Sequence, residues 1–218
     1  MKRSLKLPRV YPVTDRKLSG LSHAEQVRRL ADAGAAFIQL REKSLSAREF
    51  YLEACEAVAA AREVGVTLLI NDRVDIAMMT EADGVHLGQT DLPPAAARRL
   101  LGDDAIIGFS THSLAEAIAA AEEPVDYIAF GPIFPTATKT DTEPVVGLSQ
   151  LTEIRKALPN IPLVAIGGIN VSNIADVIRA GADSAAVISS AVAVGENIVR
   201  NFSSLTAAID ASGTSHVK

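Results

Sequence analysis

The chain of 218 residues has no tryptophan, one cysteine and an aromatic content of only 4%. With so few rings, packing falls to Ala, Val, Ile and Leu in a composition that is 48% hydrophobic, which suits a sheet covered by small-residue helices. Cys55 lies in an apolar helical pattern; alone it permits no disulfide framework and reads as core packing. No apolar run reaches the roughly 18 residues that span a bilayer. The basic start MKRSLKLPRV lacks the apolar stretch of a secretory signal. These absences lead to the expectation of a cytoplasmic chain with no membrane partner. There is no basic stripe, and the net charge is −5, which argues against nucleic-acid binding. An anionic ligand would therefore need a few cations concentrated where it binds. Also missing are a Walker A loop, an H-E-x-x-H pair, a zinc-type cysteine pair, and a G-x-S-x-G elbow, since GFSTH at 108–112 does not fit it.

What is present is alternation. Short β-rich runs occur at 9–14, 36–40, 66–70, 84–87, 105–109, 126–130, 162–166 and 184–188. Between them lie helical patterns: from Ser22 as N-cap to Gly34, over 46–64 with Ser46 and Glu49 as a capping box and Gly65 as stop, over 73–81, and from Pro93-Pro94 to Leu101. Four more follow over 113–122, 148–157, 171–180 and 195–209. The strands are continuously apolar, as parallel strands buried on both faces must be. The pattern predicts an α/β fold, a single (β/α)8 TIM barrel over 1–218, with flexible ends at about 1–8 and 211–218. A doubly wound open sheet is the alternative, but no G-x-G-x-x-G follows the first strand. The even strands are introduced alike, by DAGAAFIQ, EADGVHLG, EEPVDYIA and AGADSAAVI, which hints at duplicated β/α units.

In such barrels chemistry sits at the C-terminal ends of the strands. There the sequence places Arg41, Glu42 and Lys43; Asn71, Asp72 and Arg73; His86, Gln89 and Asp91; Ser110, Thr111 and His112; Thr136, Thr138 and Lys139; Gly167 and Gly168; and Ser189 and Ser190. Seven consecutive strand ends thus carry groups that bind anions or cations. Glycines let a phosphate approach the main chain, so AIGGIN and VISSA suggest a phosphate cradle. Asp72 and Asp91 follow neighbouring strands and could share a hard cation such as Mg2+, which favours one or two carboxylates with phosphate oxygens. Together with Arg41 and Lys43 they suggest a second anion site, for a diphosphate. Asp72 also suits a helix N-cap, His86 suits a buried structural role, and His112 reads as structural.

The motifs YPVTD at 11–15, QLREK at 39–43, NDR at 71–73, GVHLGQTD at 84–91, GFSTHS at 108–113, GPIFPTATK at 131–139, AIGGI at 165–169 and VISS at 187–190, in that order, resemble the thiamine-phosphate synthase family over about residues 10–205. The resemblance implies a transferase that condenses an aminopyrimidine-methyl diphosphate with a thiazole phosphate, giving thiamine phosphate and pyrophosphate. It implies that Asp72 and Asp91 hold Mg2+, and that Arg41, Lys43, Asn71, Ser110 and Lys139 bind the diphosphate. Gln39 and His86 would line the pyrimidine. Thr136 and Thr138 would reach the thiazole phosphate, with Gly168, Ile188 and Ser189 completing its cradle. Lys139, Ser110, Arg41 and Lys43 would be the catalytic group, through stabilisation of the departing pyrophosphate. Phe109 and Ser190 depart from the family's usual small aliphatic residue and alanine. A thiazole tautomerase-like relative and a non-catalytic phosphate-binding barrel are the alternatives, and a homo-oligomer is compatible with the sequence.

Overall fold

The computed structural model describes residues 5–136 and 144–213. Eight parallel strands close into a barrel in chain order, and the last pairs with the first. They are β1 (Val10–Thr14), β2 (Phe37–Leu40), β3 (Thr67–Asn71), β4 (Gly84–Leu87), β5 (Ile106–Thr111), β6 (Tyr127–Phe130), β7 (Leu163–Ile166) and β8 (Ser184–Val187). The helices around them are α1 (Arg16–Ser19), α2 (His23–Asp32), α3 (Ala47–Val64), α4 (Val74–Thr80), α5 (Pro94–Leu101), α6 (Leu114–Ala121), α7 (Gly147–Ala157), α8 (Ile174–Arg179), α9 (Ser189–Val192) and α10 (Ile198–Gly213). This is the (β/α)8 barrel that the alternation predicts.

The helix boundaries follow from local chemistry. Ser22 accepts from the Glu25 N–H to start α2, and Ser46 and Glu49 form the reciprocal capping box that starts α3. Gly65 ends α3 in the left-handed region at φ 72°. Elements of four residues carry no periodicity, so α1 and α9 are additions to the expected set. The segment at 171–173 is a turn and only 174–179 is helical there. β5 runs on to Thr111 because Ser110 and Thr111 pair with Ala129 and Phe130 of β6.

Two apolar regions result. The main core lies between the strands and the helices. A smaller one fills the barrel, where Tyr11, Phe37, Leu69, Tyr127, Val164 and Ala186 meet, with Leu5 and Leu7 of the lead-in packed against them.

The echo before the even strands has a structural counterpart at the floor of the barrel. Asp83, Asp126 and Asp183 occupy equivalent places just before β4, β6 and β8. Each carboxylate accepts from the first residues of the preceding strand: Leu68 N at 2.8 Å, Ile107 N at 2.8 Å and Leu163 N at 2.8 Å. Arginines of α5 and α7 tie two of these loops down. Arg98 reaches Asp126 at 2.6 Å and the Ala105 and Pro124 carbonyls, and Arg155 reaches Asp183 at 2.5 Å and the Ile161 and Gly181 carbonyls. Before β2 the equivalent position is Ala36, which offers only its own carbonyl, to the Thr67 N–H.

Candidate active site

The polar ends of the strands meet at the opposite, C-terminal mouth. On one side stands a cluster of charge. Asp72 follows β3 at φ 63°, a left-handed conformation that a short polar side chain tolerates. Its N–H is held by the His86 carbonyl at 2.8 Å. Its carboxylate pairs with the Lys43 ammonium. Asp91 lies within hydrogen-bonding reach of Asp72, and its Oδ2 also accepts from the Gly88 N–H at 2.7 Å. Burial first, and then the Asp72 charge, push the Asp91 carboxyl above its ordinary range. Two acidic groups pressed together, one of them paired with an ammonium, form an oxygen donor set suited to a hard cation. Among the described residues no group of three or more His, Cys, Asp or Glu could hold a metal, so a cation at Asp72 and Asp91 would draw its other ligands from phosphate oxygens and water.

The loop that carries Lys43 is tightly built. Arg41 donates to Asp15 Oδ2 at 3.1 Å, and Asp15 Oδ1 caps α1 through the Leu18 N–H. Glu42 turns inward. Its Oε1 accepts from the N–H groups of Lys43 at 2.8 Å and Ser44 at 2.6 Å and from the Ser44 hydroxyl. Its Oε2 faces His23 Nε2 at 3.4 Å, and His23 Nδ1 meets Thr14 Oγ1 at 2.7 Å. Burial opposes ionisation of Glu42, but the Ser44 donors and His23 outweigh it and hold the carboxyl below its usual range. Burial lowers the pKa of His23, against the pull of Glu42.

On the other side of the mouth lies a cavity of about 680 Å³, whose lining includes Ser110, Thr136, Gly168, Ile188 and Ser189. Its floor needs glycine. A Cβ on Gly168, at φ +63°, would stand 2.5 Å from the Pro135 carbonyl oxygen, and one on Gly167, at φ +104°, would stand 2.6 Å from Pro132. Ser190 donates to the Ile169 carbonyl at 2.8 Å, which ties the ends of β7 and β8 together. His112 also lines this cavity, with Nδ1 2.7 Å from the Gly131 carbonyl oxygen.

The two sides are joined through the barrel interior. Ser110 lines the cavity and its Oγ lies 2.8 Å from His86 Nε2. His86 Nδ1 lies 2.8 Å from the Tyr127 hydroxyl, that hydroxyl 2.9 Å from the Tyr11 hydroxyl, and Gln39 Nε2 donates to Tyr11 at 2.8 Å. Asn71 is buried at the end of β3, in register with His86. Of the residues expected at the site, Arg41, Lys43, Asn71, Asp72, His86, Asp91, Ser110, Thr136, Gly168, Ile188 and Ser189 lie at or just after the C-terminal ends of their strands, whereas Gln39 lies deeper, in the barrel interior beside Tyr11. Thr138 and Lys139 lie outside the described residues. The sequence gives no role to Tyr11, Tyr127 or Asp15, and it places Glu42 on the rim without a role. The detectable signal was a pair of hydroxylated rings inside otherwise apolar strands.

Comparison with known proteins gives the family. Residues 10–191 match the family described as thiamine monophosphate synthase. A thiamine-phosphate synthase of Chloroflexus aurantiacus is 49% identical over 186 residues, 85% of each chain. One of Syntrophomonas wolfei is 49% identical over 181 residues, 83% of this chain and 86% of that one. A solved thiamine phosphate pyrophosphorylase of Pyrococcus furiosus superposes with a TM-score of 0.83 at 35% identity, covering 94% of this chain and 96% of that one. The chain described here belongs to the thiamine monophosphate synthase family.

Proposed function

We propose that the protein is a thiamine-phosphate synthase of the cytoplasm that joins 4-amino-2-methyl-5-hydroxymethylpyrimidine diphosphate to 4-methyl-5-(2-hydroxyethyl)thiazole phosphate, releasing pyrophosphate. The observation that carries the reading is the pairing, on one barrel mouth, of the Lys43–Asp72–Asp91 cluster with a glycine-floored cavity, linked by Ser110. One side suits a diphosphate and the other a monophosphate. A tautomerase would use only the second.

In this reading the bond from the pyrimidine methylene carbon to the diphosphate oxygen breaks first, and its electron pair leaves with pyrophosphate. The thiazole nitrogen then donates its lone pair to the methylene carbon, so no proton has to move. Mg2+ held by Asp72 and Asp91 would neutralise charge on the departing phosphates. Lys43 and Arg41 act in the same sense from a loop locked by Asp15 and Glu42. Gln39 and His86 face the pyrimidine, Asn71 and Ser110 donate to the diphosphate, and the cavity residues hold the thiazole phosphate against the cation that forms. Lys139 and Thr138 complete the two anion sites in this assignment.

The test is pyrophosphate release. It is expected only with both substrates and Mg2+ present. Turnover of the thiazole phosphate without pyrophosphate, or binding of phosphate ligands with no turnover at all, would overturn the assignment in favour of a tautomerase-like or a non-catalytic barrel.

A further inference from the structure

The interior hydrogen bonds have a direction. Gln39 presents its amide nitrogen to Tyr11, so the Tyr11 oxygen accepts there. The Tyr11 hydrogen is then available to the Tyr127 oxygen, 2.9 Å away, and the Tyr127 hydrogen to His86 Nδ1, 2.8 Å away. A nitrogen that accepts at Nδ1 leaves the ring proton on Nε2, which faces Ser110 Oγ at 2.8 Å. The four groups from Gln39 to His86 are all buried. Burial also drives both phenols far above their ordinary pKa, so each keeps its hydrogen at any working pH. The reverse polarity would need an acceptor where the Gln39 amide nitrogen stands.

We propose that Tyr11 and Tyr127 are positioning residues. The one-way chain Gln39→Tyr11→Tyr127→His86 fixes His86 as its Nε2–H tautomer, so that Ser110 accepts from His86 and keeps its own hydrogen free for the diphosphate at the mouth. The proposal deepens the reaction assigned above: a serine so held is a donor aimed at a phosphate oxygen. That consequence rests on the synthase reading, whereas the tautomer does not. The sequence of β5 supports the arrangement. Gly108 lies in register between His86 and Tyr127, and its missing side chain is the space that the Tyr127 ring crosses to reach His86.

The test uses the intact protein with 15N-labelled histidine. Long-range proton–nitrogen spectra separate the two tautomers, and the His86 signals are assigned from a His86→Gln sample. Wild type is expected to show His86 wholly as Nε2–H. Tyr127→Phe removes the donor to Nδ1 and is expected to give a mixture of tautomers. Tyr11→Phe leaves Tyr127 donating, so the tautomer is expected to persist. Gln39→Glu replaces the first donor with an acceptor and is expected to reverse the chain, giving Nδ1–H at His86 from the far side of the barrel. His23, held separately by Thr14 and Glu42, serves as the internal control and is expected not to change. An Nδ1–H tautomer in wild type, or identical His86 spectra in Tyr127→Phe and Gln39→Glu, would overturn the proposal. In the pyrophosphate assay Tyr127→Phe is expected to lower kcat about fivefold to tenfold, the worth of one well-placed hydrogen bond, with both KM values little changed. An inactive wild type would count against the synthase reading and leave the spectra to decide the tautomer.

Discussion

Replacing Gly108 with alanine should damage this protein severely, because the added methyl group meets a buried ring inside the barrel. A Cβ there would stand 2.0 Å from Tyr127 Cζ and 2.3 Å from its hydroxyl oxygen. Ordinary carbon contacts are about 3.5–4.0 Å, so the ring would have to move by roughly 1.5 Å. It has nowhere to go, because Tyr127 is fully buried and edge-packed against Tyr11, with ring centroids 6.1 Å apart, and against Phe37 at 6.4 Å. Overpacking of this kind costs about 1–3 kcal/mol. Displacing the phenol also breaks its bonds to Tyr11 and His86, at about 1 kcal/mol each. The sum is about 3–5 kcal/mol, a large part of a typical domain's stability. Urea unfolding followed by far-ultraviolet circular dichroism measures it. Gly65→Ala is the comparison, since Gly65 has φ +72° and nothing within 4 Å of its would-be Cβ; only backbone strain of about 1 kcal/mol applies there. In a Tyr127→Leu background the cost of Gly108→Ala should fall below about 1 kcal/mol, because the obstructing ring is gone. If Gly108→Ala proves no worse than Gly65→Ala, or costs as much with Leu at 127 as with Tyr, the steric reasoning is wrong.

Other expectations can be checked with the same protein. Asp72→Asn keeps a residue that tolerates the φ of 63° at that position, so melting should move by no more than a few degrees while Mg2+-dependent pyrophosphate release is lost; unchanged turnover would remove the metal role. His23 is fully buried and its pKa is lowered by that burial. The unfolded chain therefore binds a proton that the folded one resists, and stability should fall as pH drops through about 6.5, by up to about 1.4 kcal/mol per pH unit. Urea midpoints between pH 7.5 and 5.5 should show that slope, and His23→Gln should flatten it. Asp126→Ala strands the Ile107 N–H and leaves Arg98 without its carboxylate, at about 2–4 kcal/mol. Asp126→Asn retains an acceptor oxygen and should cost less in the same unfolding experiment.

Much of the molecule was legible in the sequence because its cause is local. Apolar strands, capping serines and terminating glycines announce themselves within a few residues, and the alternation they create leaves little besides a barrel. The rule that chemistry gathers after parallel strands then collected Asp72, Asp91, Ser110 and Gly168 without any knowledge of distances. Tyr11 and Tyr127 escaped because a tyrosine in a strand looks like any β-forming apolar residue. Its hydroxyl gains meaning only when closure brings β1 and β6 across the barrel from one another. Asp15 escaped because its two oxygens do different work, one capping a four-residue helix and the other holding Arg41. The repeated aspartates were visible as an echo, but strand register was needed to see which N–H each one meets.

Of the four joints that lead from an odd strand to the next even one, that repeated fastening is missing from the first. Around β3 to β8 the floor is riveted three times over, whereas between β1 and β2 an alanine takes the rivet's place and only two residue pairs are in register, Val13 with Gln39 and Thr14 with Leu40. This seam is closed from above instead, by Thr14, His23, Asp15, Arg41 and Glu42. Transient opening should therefore begin here, and amide exchange in β1 and β2 should outpace that in β5 and β6. Whatever engages Arg41 at the mouth would then act as the missing fastener, tightening the hoop where no aspartate does so.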